Sequence, residues 1–298
     1  MFFITMHHDK CMAACIFLTI KPFLYMINSI LAPTDFSLNA KHAVLYAAEL
    51  AVKAKSKLTI LNAYHLLHGP HDYPKTIDHI PTESDIKQRS MQKLYSLKRL
   101  VIKKFPKLKV DLVAEHGMPV ETILYSAKNV KADLIVMGTL GMSGVSSVLF
   151  GRNTLRMIRS AYCPVLAVPK RSKVSNVKKV LYASDLSEGE TDVMKRLIAF
   201  ASVWNASVKI VYINRPGQDR MKSRLLEVSK KTRYKKVSIE AIENESVVNG
   251  IEIFLKEQKS DILALAHRPR TFFEDLFHVS VTKQLSLNIN LPLLVIPK

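Results

Sequence analysis

Glycine is scarce, with 9 in 298 residues, so repetitive glycine-rich architectures are excluded and any cluster of glycines stands out. Three cysteines are too few for a disulfide framework, and their number suits a reducing compartment. Acidic residues are also short: 25 against 44 lysines and arginines gives a formal charge of +19, which favours anionic partners. The basic residues are spread over both halves in runs such as "KVSNVKK" and "KKTRYKK". No basic stripe is interleaved with aromatics, so no specific nucleic-acid function is expected. Long hydrophobic runs are missing too. "CMAACIFLTI" (11–20), flanked by Lys10 and Lys21, resembles a signal-peptide core but is too short to cross a bilayer and lacks a small-residue cleavage site. Residues 1–25 are thus either a leader or a mis-assigned start. The second reading is favoured because "MINSILAPTDFS" opens directly on a strand at Met26. The expectation is a cytoplasmic protein with no membrane partner.

What is present is a repeat. "ILAPTDFS" (30–37) aligns with "VLYASDLS" (180–187), which sets Asp35 against Asp185. "ADLIVMG" (132–138) aligns with "SDILALA" (260–266), and "CPVLAVPK" (163–170) with "LPLLVIPK" (291–298). The first offset is longer than the other two, so the first half carries extra residues, assigned to "HLLHGPHDYPKTIDHIPTESD" (65–85). The chain divides into 1–25, a first domain over 26–170 and a second over 177–298.

Each half alternates short apolar runs with helix-length amphipathic ones. In the first, "SILAP" is a strand, and Ser37 is placed to cap the helix in "SLNAKHAVLYAAELAVKAK". "KLTILNA" and "KVDLVAEHG" read as strands around the helix "ESDIKQRSMQKLYSLKRLVIKKF", and "PVETILYSAKNV" opens a helix on proline. "DLIVMG" and "PVLAVP" are near-continuous apolar runs, as parallel strands covered on both faces require. The fold class is α/β: two tandem doubly wound, Rossmann-like domains, each a five-stranded parallel sheet flanked by helices.

The functional question centres on "GTLGMSGVSSVLFGRNT" (138–154), between an apolar run and a helix-like one. It contains neither a P-loop lysine nor G-x-G-x-x-G spacing. It does contain Gly138-x2-Gly141-x9-Gly151, followed by Arg152, Asn153 and Thr154. Gly138 and Gly141 allow a tight return of the backbone and close approach to a ligand. Gly151 precedes a helix whose N-terminus favours phosphate, with Asn153 and Thr154 adding side-chain donors. Asp35 ends the first strand, and Pro33 and Thr34 shape its turn.

With "PTDFS" and "HGMPVETI" upstream, "CPVLAV" downstream and the whole domain repeated, the sequence resembles the universal stress protein family over roughly residues 27–298. The resemblance implies the adenine nucleotide alpha hydrolase-like fold, with the first and fourth strands adjacent at the switch point. It implies ATP or a related adenine nucleotide as ligand, with or without Mg, held by Pro33, Thr34, Asp35, Ala63, Met137, Gly138, Leu140, Gly141, Gly151, Arg152, Asn153 and Thr154. It also implies that "CPVLAVPK" and "LPLLVIPK" pair across the domain interface, with association of two chains left open. Two positions depart from the family pattern. Arg152 stands where the family has serine or threonine, and Leu140 where many ATP-binding members have histidine. Arginine cannot copy a hydroxyl contact but can pair with phosphate through its planar fork.

In the second half Gly138, Gly141 and Gly151 become Ala266, Pro269 and Val279. Proline lacks an N–H and valine resists positive φ, so no nucleotide is expected there. Phe272, Phe273 and Phe277 suggest a packed surface instead. His65, His68, His71 and His79 crowd the extra segment, but no cysteine or fixed ligand spacing accompanies them, and no metal site is assigned. No G-x-S-x-G elbow, H-E-x-x-H pair or kinase signature is present. The chain reads as a stress-response or regulatory binding protein, not an enzyme, with weak ATP hydrolysis as the upper limit. The alternatives are a scaffold with both sites inactive and a slow ATPase.

Overall fold

Ser37 sets the first helix. Its side chain accepts the Ala40 N–H, and α1 (Leu38–Ala54) then buries Ala43, Val44, Ala47 and Ala51 at helical spacing. The computed structural model describes residues 25–65, 81–140, 150–172, 177–184, 186, 189–214, 234–267 and 291–298. Residues 1–24, most of the extra segment, Gly141, Asp185, Pro269, Phe272, Phe273, Phe277 and Val279 lie outside them.

The first half runs β1 (Ser29–Pro33), α1, β2 (Lys57–Tyr64), α2 (Glu83–Lys104), β3 (Val110–His116), α3 (Pro119–Asn129), β4 (Leu134–Gly138), α4 (Arg152–Ser160) and β5 (Val165–Val168). Its second helix starts on a capping box made by Thr82 and Asp85. The second half shows β6 (Lys179–Ser184), α5 (Glu190–Val203), β7 (Ser207–Asn214), β8 (Val237–Glu243), α6 (Val247–Gln258), β9 (Ile262–His267) and β10 (Leu293–Pro297). Alternate residues of each strand feed opposite layers. Ile30 and Ala32 join one core with Tyr182 and Ile210, while Leu31 joins the other with Leu181 and Val211. The strand expected over 109–117 is the sheet edge, and only Val110 in it is buried, so the clean alternation is absent there.

The ten strands form one sheet, in the order β3-β2-β1-β4-β5-β10-β9-β6-β7-β8. All pairings are parallel except β5 with β10, where the halves meet. Leu166 faces Leu294, its own repeat equivalent, and Val165 faces Val295. A register centred on equivalent residues is what a twofold interface requires, here built within one chain. Beside the seam, Tyr46 of α1 meets Trp204 at the end of α5 edge-on, with ring centroids 6.4 Å apart. Lys53 Nζ lies 5.0 Å from the Trp204 ring.

The duplication is visible in backbone detail. Phe36 and Leu186 both take left-handed φ, 64° and 50°. Each donates its N–H to the hydroxyl two residues before it, Thr34 or Ser184, at 3.0 Å. Asp133 Oδ2 accepts the N–H groups of Asn28 and Ser29, and Asp261 Oδ2 accepts those of Lys178 and Lys179.

Candidate functional site

The parallel pairing of β1 with β4 brings the Pro33–Thr34–Asp35 turn beside Gly138 at the carboxyl ends of the strands. Strand order reverses here: β2 lies on one side of β1 and β4 on the other. Crevices at such points are where open α/β sheets take ligands.

The turn is held from behind by a buried polar chain. Ser90 Oγ of α2 donates to Asn62 Oδ1 at 2.7 Å, and Asn62 Nδ2 donates to the Thr34 carbonyl at 2.7 Å. Thr34 N–H in turn donates to the Leu61 carbonyl at 2.8 Å. Asp35 Oδ1 accepts the Ser37 N–H at 3.0 Å, so the aspartate also helps to form the helix entry. Ala63 and Tyr64 follow Asn62 on β2, and the Tyr64 ring lies 5.7 Å from that of His116 on β3. Burial, with Glu83 and Glu115 nearby, raises the Tyr64 hydroxyl above its ordinary range.

Across the crevice, β4 ends in buried Met137 and Gly138. The reason for glycine at 138 differs from the expected one. A Cβ there would stand 2.9 Å from Nδ2 of Asn39 and 3.1 Å from its Cγ, so the absent side chain makes room for an amide from α1. Gly117 does need glycine conformationally, with φ of 140° and a Cβ position 2.6 Å from Thr122 Oγ1. Gly151 does not, since it caps α4 at φ −64°, ψ 155°. Its N–H donates to the Thr139 carbonyl at 2.7 Å. Thr154, expected to offer its hydroxyl to a ligand, is buried and donates to the Gly138 carbonyl at 2.9 Å. It sits in the first turn of α4, on the side that packs against the end of β4.

The start of α4 has no side-chain cap, unlike α1 and α2. Arg152 and Asn153 are exposed at this end. Behind them, Arg156 pairs with Glu121 at 2.6 Å, tying α4 to α3. The backbone at the start of α3 and then the Arg156 guanidinium hold the Glu121 carboxyl below its usual range.

The second half keeps the strand-end turn but fills the space beside it. Glu190, in the position of Ala40, is buried and accepts hydrogen bonds from Tyr182 Oη at 2.6 Å and from the Ser184 hydroxyl. Lys298 Nζ lies 3.7 Å from the same carboxylate, and the Lys298 N–H donates to the His267 carbonyl at 3.2 Å. A carboxylate thus stands at the start of α5, the helix that corresponds to α1.

Among the described residues, no group of three or more histidine, cysteine or acidic side chains is arranged to hold a metal. His68, His71 and His79 lie outside those residues, and His65 is exposed. No helix among the described residues is long and apolar enough to cross a membrane.

The sequence model of the universal stress protein family matches this chain twice, over residues 26–169 and 176–297. The chain belongs to the universal stress protein family. A universal stress protein of Methanocaldococcus jannaschii, MJ0531, is 35% identical over 88 residues, which span 30% of this chain and 51% of that protein. The chain therefore matches about half the length of this relative. A Thermus aquaticus universal stress protein is 30% identical over 143 residues, 48% of this chain and 99% of its own. The crystal structure of a universal stress protein from Archaeoglobus fulgidus superposes with a TM-score of 0.69 at 17% identity, over 92% of this chain and 97% of that one. That likeness gives the fold, a tandem pair of Rossmann-like universal stress domains.

Reading the sequence overlooked Asn39, Asn62, Ser90, Glu190 and Lys298. Ser90 was discoverable, because it shares a helical stripe with Leu94, Leu97 and Val101, the other buried residues of α2. Asn62 carried a weaker signal as a polar residue inside the apolar strand "KLTILNAY". Nothing local marked the other three.

Proposed function

We propose that the first half binds ATP or a related adenine nucleotide, and that the chain acts as a stress-response or regulatory binding protein. The observation that carries this reading is the uncapped start of α4 at the β1–β4 crevice. Its first-turn N–H groups and dipole favour phosphate, and exposed Arg152 and Asn153 supply further donors. The fit is chemical as well as electrostatic. Asp35 offers a carboxylate to ribose hydroxyls, and Pro33, Thr34, Ala63, Met137 and Leu140 complete the proposed walls. An accompanying Mg would be held chiefly by phosphate oxygens.

Catalysis is not part of the proposal. Phosphoryl transfer needs several positioned cations, and among the described residues Arg152 is the one cation in the first turn of α4, so hydrolysis is at most slow. The second half, proposed as a unit over 177–298 beside one over 26–170, takes no nucleotide because Ala266, Pro269 and Val279 replace the three glycines. It serves as a built-in dimer partner, and the protein is assigned to the cytoplasm. The competing reading, a scaffold with no ligand, draws on the Gly151 N–H and Thr154 O–H being already engaged.

Calorimetric titration of the full chain with ATP tests the reading. One site per chain is expected, weakened at least about tenfold by Asp35→Ala, the loss of one charged hydrogen bond. A flat wild-type titration contradicts the proposal. Steady phosphate release that vanishes in Asp35→Ala would replace it with the slow ATPase.

A further inference from the structure

Asn39 lies in the first turn of α1, where a polar residue normally faces water, yet only 7% of it is exposed. Its Nδ2 crosses to β4 and donates to the Leu140 carbonyl at 2.8 Å. This bond fixes the chain two residues beyond Gly138. The same amide occupies the space that a side chain on residue 138 would need. Its other polar atom, Oδ1, is buried and has no hydrogen-bond partner among the described residues. Buried polar atoms in folded proteins are rarely left so, and an orphan at a crevice points to a donor that arrives with a ligand.

The repeat supplies an internal control. The strand-end turn is common to both halves, as the Thr34–Phe36 and Ser184–Leu186 bonds show. It therefore cannot be what distinguishes them. The positions of Asn39 and Gly138 are taken in the second half by Gly189 and Ala266. Both partners of the contact have changed together: where the amide is lost, a Cβ appears on the facing strand.

We propose that Asn39 positions the first-half site. Its Nδ2 holds the chain at Leu140, just past the end of β4, and its Oδ1 accepts a hydrogen bond from the nucleoside part of the ligand. At neutral pH the nucleoside carries the hydroxyl and amine donors of an adenine nucleotide, while the phosphates chiefly accept. The ligand half of this inference rests on the nucleotide reading above; the anchoring half does not.

The test uses the full chain in two arms. Without ligand, thermal unfolding is compared for wild type, Gly138→Ala, Asn39→Gly and the double variant. Anchoring predicts that Gly138→Ala lowers Tm in the wild-type background and costs far less beside Asn39→Gly, which recreates the second-half pair. Equal losses in both backgrounds overturn the anchoring. With ligand, ATP and inorganic tripolyphosphate are titrated into wild type and Asn39→Ala. ATP binding weakened at least tenfold is expected, with a smaller change for tripolyphosphate, which cannot satisfy Oδ1. Wild type that binds ATP alongside an equally tight Asn39→Ala overturns the positioning role and leaves the nucleotide reading intact. Wild type that fails to bind ATP overturns the nucleotide reading and with it the ligand half, while the unliganded arm still decides the anchoring.

Discussion

Removing Asn62 should cost more than removing Ser90, and removing both should cost little more than removing Asn62 alone. Asn62→Ala deprives two buried groups of their partner, the Ser90 hydroxyl and the Thr34 carbonyl. At about 1–3 kcal/mol for each unsatisfied buried group, less the modest gain from burying fewer polar atoms, the expected loss is about 2–4 kcal/mol. Ser90→Ala leaves only Asn62 Oδ1 without its donor, and should cost about 1–2 kcal/mol. In the double variant the Ser90 hydroxyl is no longer stranded, so the two losses should fall short of additive by about 0.5–3 kcal/mol. Urea unfolding of the four proteins without nucleotide measures all three quantities. Additivity within about 0.5 kcal/mol would refute the linked chain, because independent sites behave in that way. The same variants should weaken ATP binding, since the chain fixes the turn that carries Asp35.

Four further outcomes follow from the geometry. Glu190→Ala strips a shared acceptor from Tyr182 and Ser184 and should destabilise the chain by about 2–4 kcal/mol in urea unfolding, with no gain of a second nucleotide site. Leu294→Pro removes an N–H from a strand paired on both sides and should prevent folding, read as loss of the circular-dichroism transition. Burial pushes the Cys163 thiol up from 9.0 to about 12. In a chain with Cys11 and Cys15 changed to serine, a thiol reagent at pH 8.5 should therefore label only unfolded protein. The native state holds the proton more tightly than the unfolded one, so this contribution to stability is full below pH 9.0 and lost as pH rises towards about 12. The charge of +19 should give weak binding to duplex DNA that falls by orders of magnitude between about 50 and 200 mM salt; binding that persists would indicate specific recognition.

The architecture was legible because strand periodicity and the repeat act over many residues. Runs such as "DLIVMG" suit strands covered on both faces, and the matching "CPVLAVPK" and "LPLLVIPK" segments do pair at the seam. The placement of the candidate residues was legible in part: β1 pairs with β4, which sets the Asp35 turn and Gly138 at the same end of the sheet, and Thr154 ties the α4 start to Gly138. Individual roles were less so. Thr154 looked like a ligand donor because sequence spacing does not say which side of a helix start faces the strand. Gly138 looked like a turn residue because the group that needs its missing Cβ, Asn39, lies about 100 residues away in sequence and was hidden in an ordinary helix. The fill of the second half by Glu190 and Lys298 was equally invisible, joining two residues separated by most of that domain.

The central claim is one live nucleotide site per chain, in the first half. The direct measurement is to denature the freshly purified full chain and quantify released adenine nucleotide by ion-exchange chromatography, with Asp35→Ala prepared in parallel. The account predicts close to one equivalent from wild type and far less from the variant. Two equivalents, or one equivalent unaffected by Asp35→Ala, would place binding elsewhere; none, with a flat ATP titration, would make the fold a scaffold.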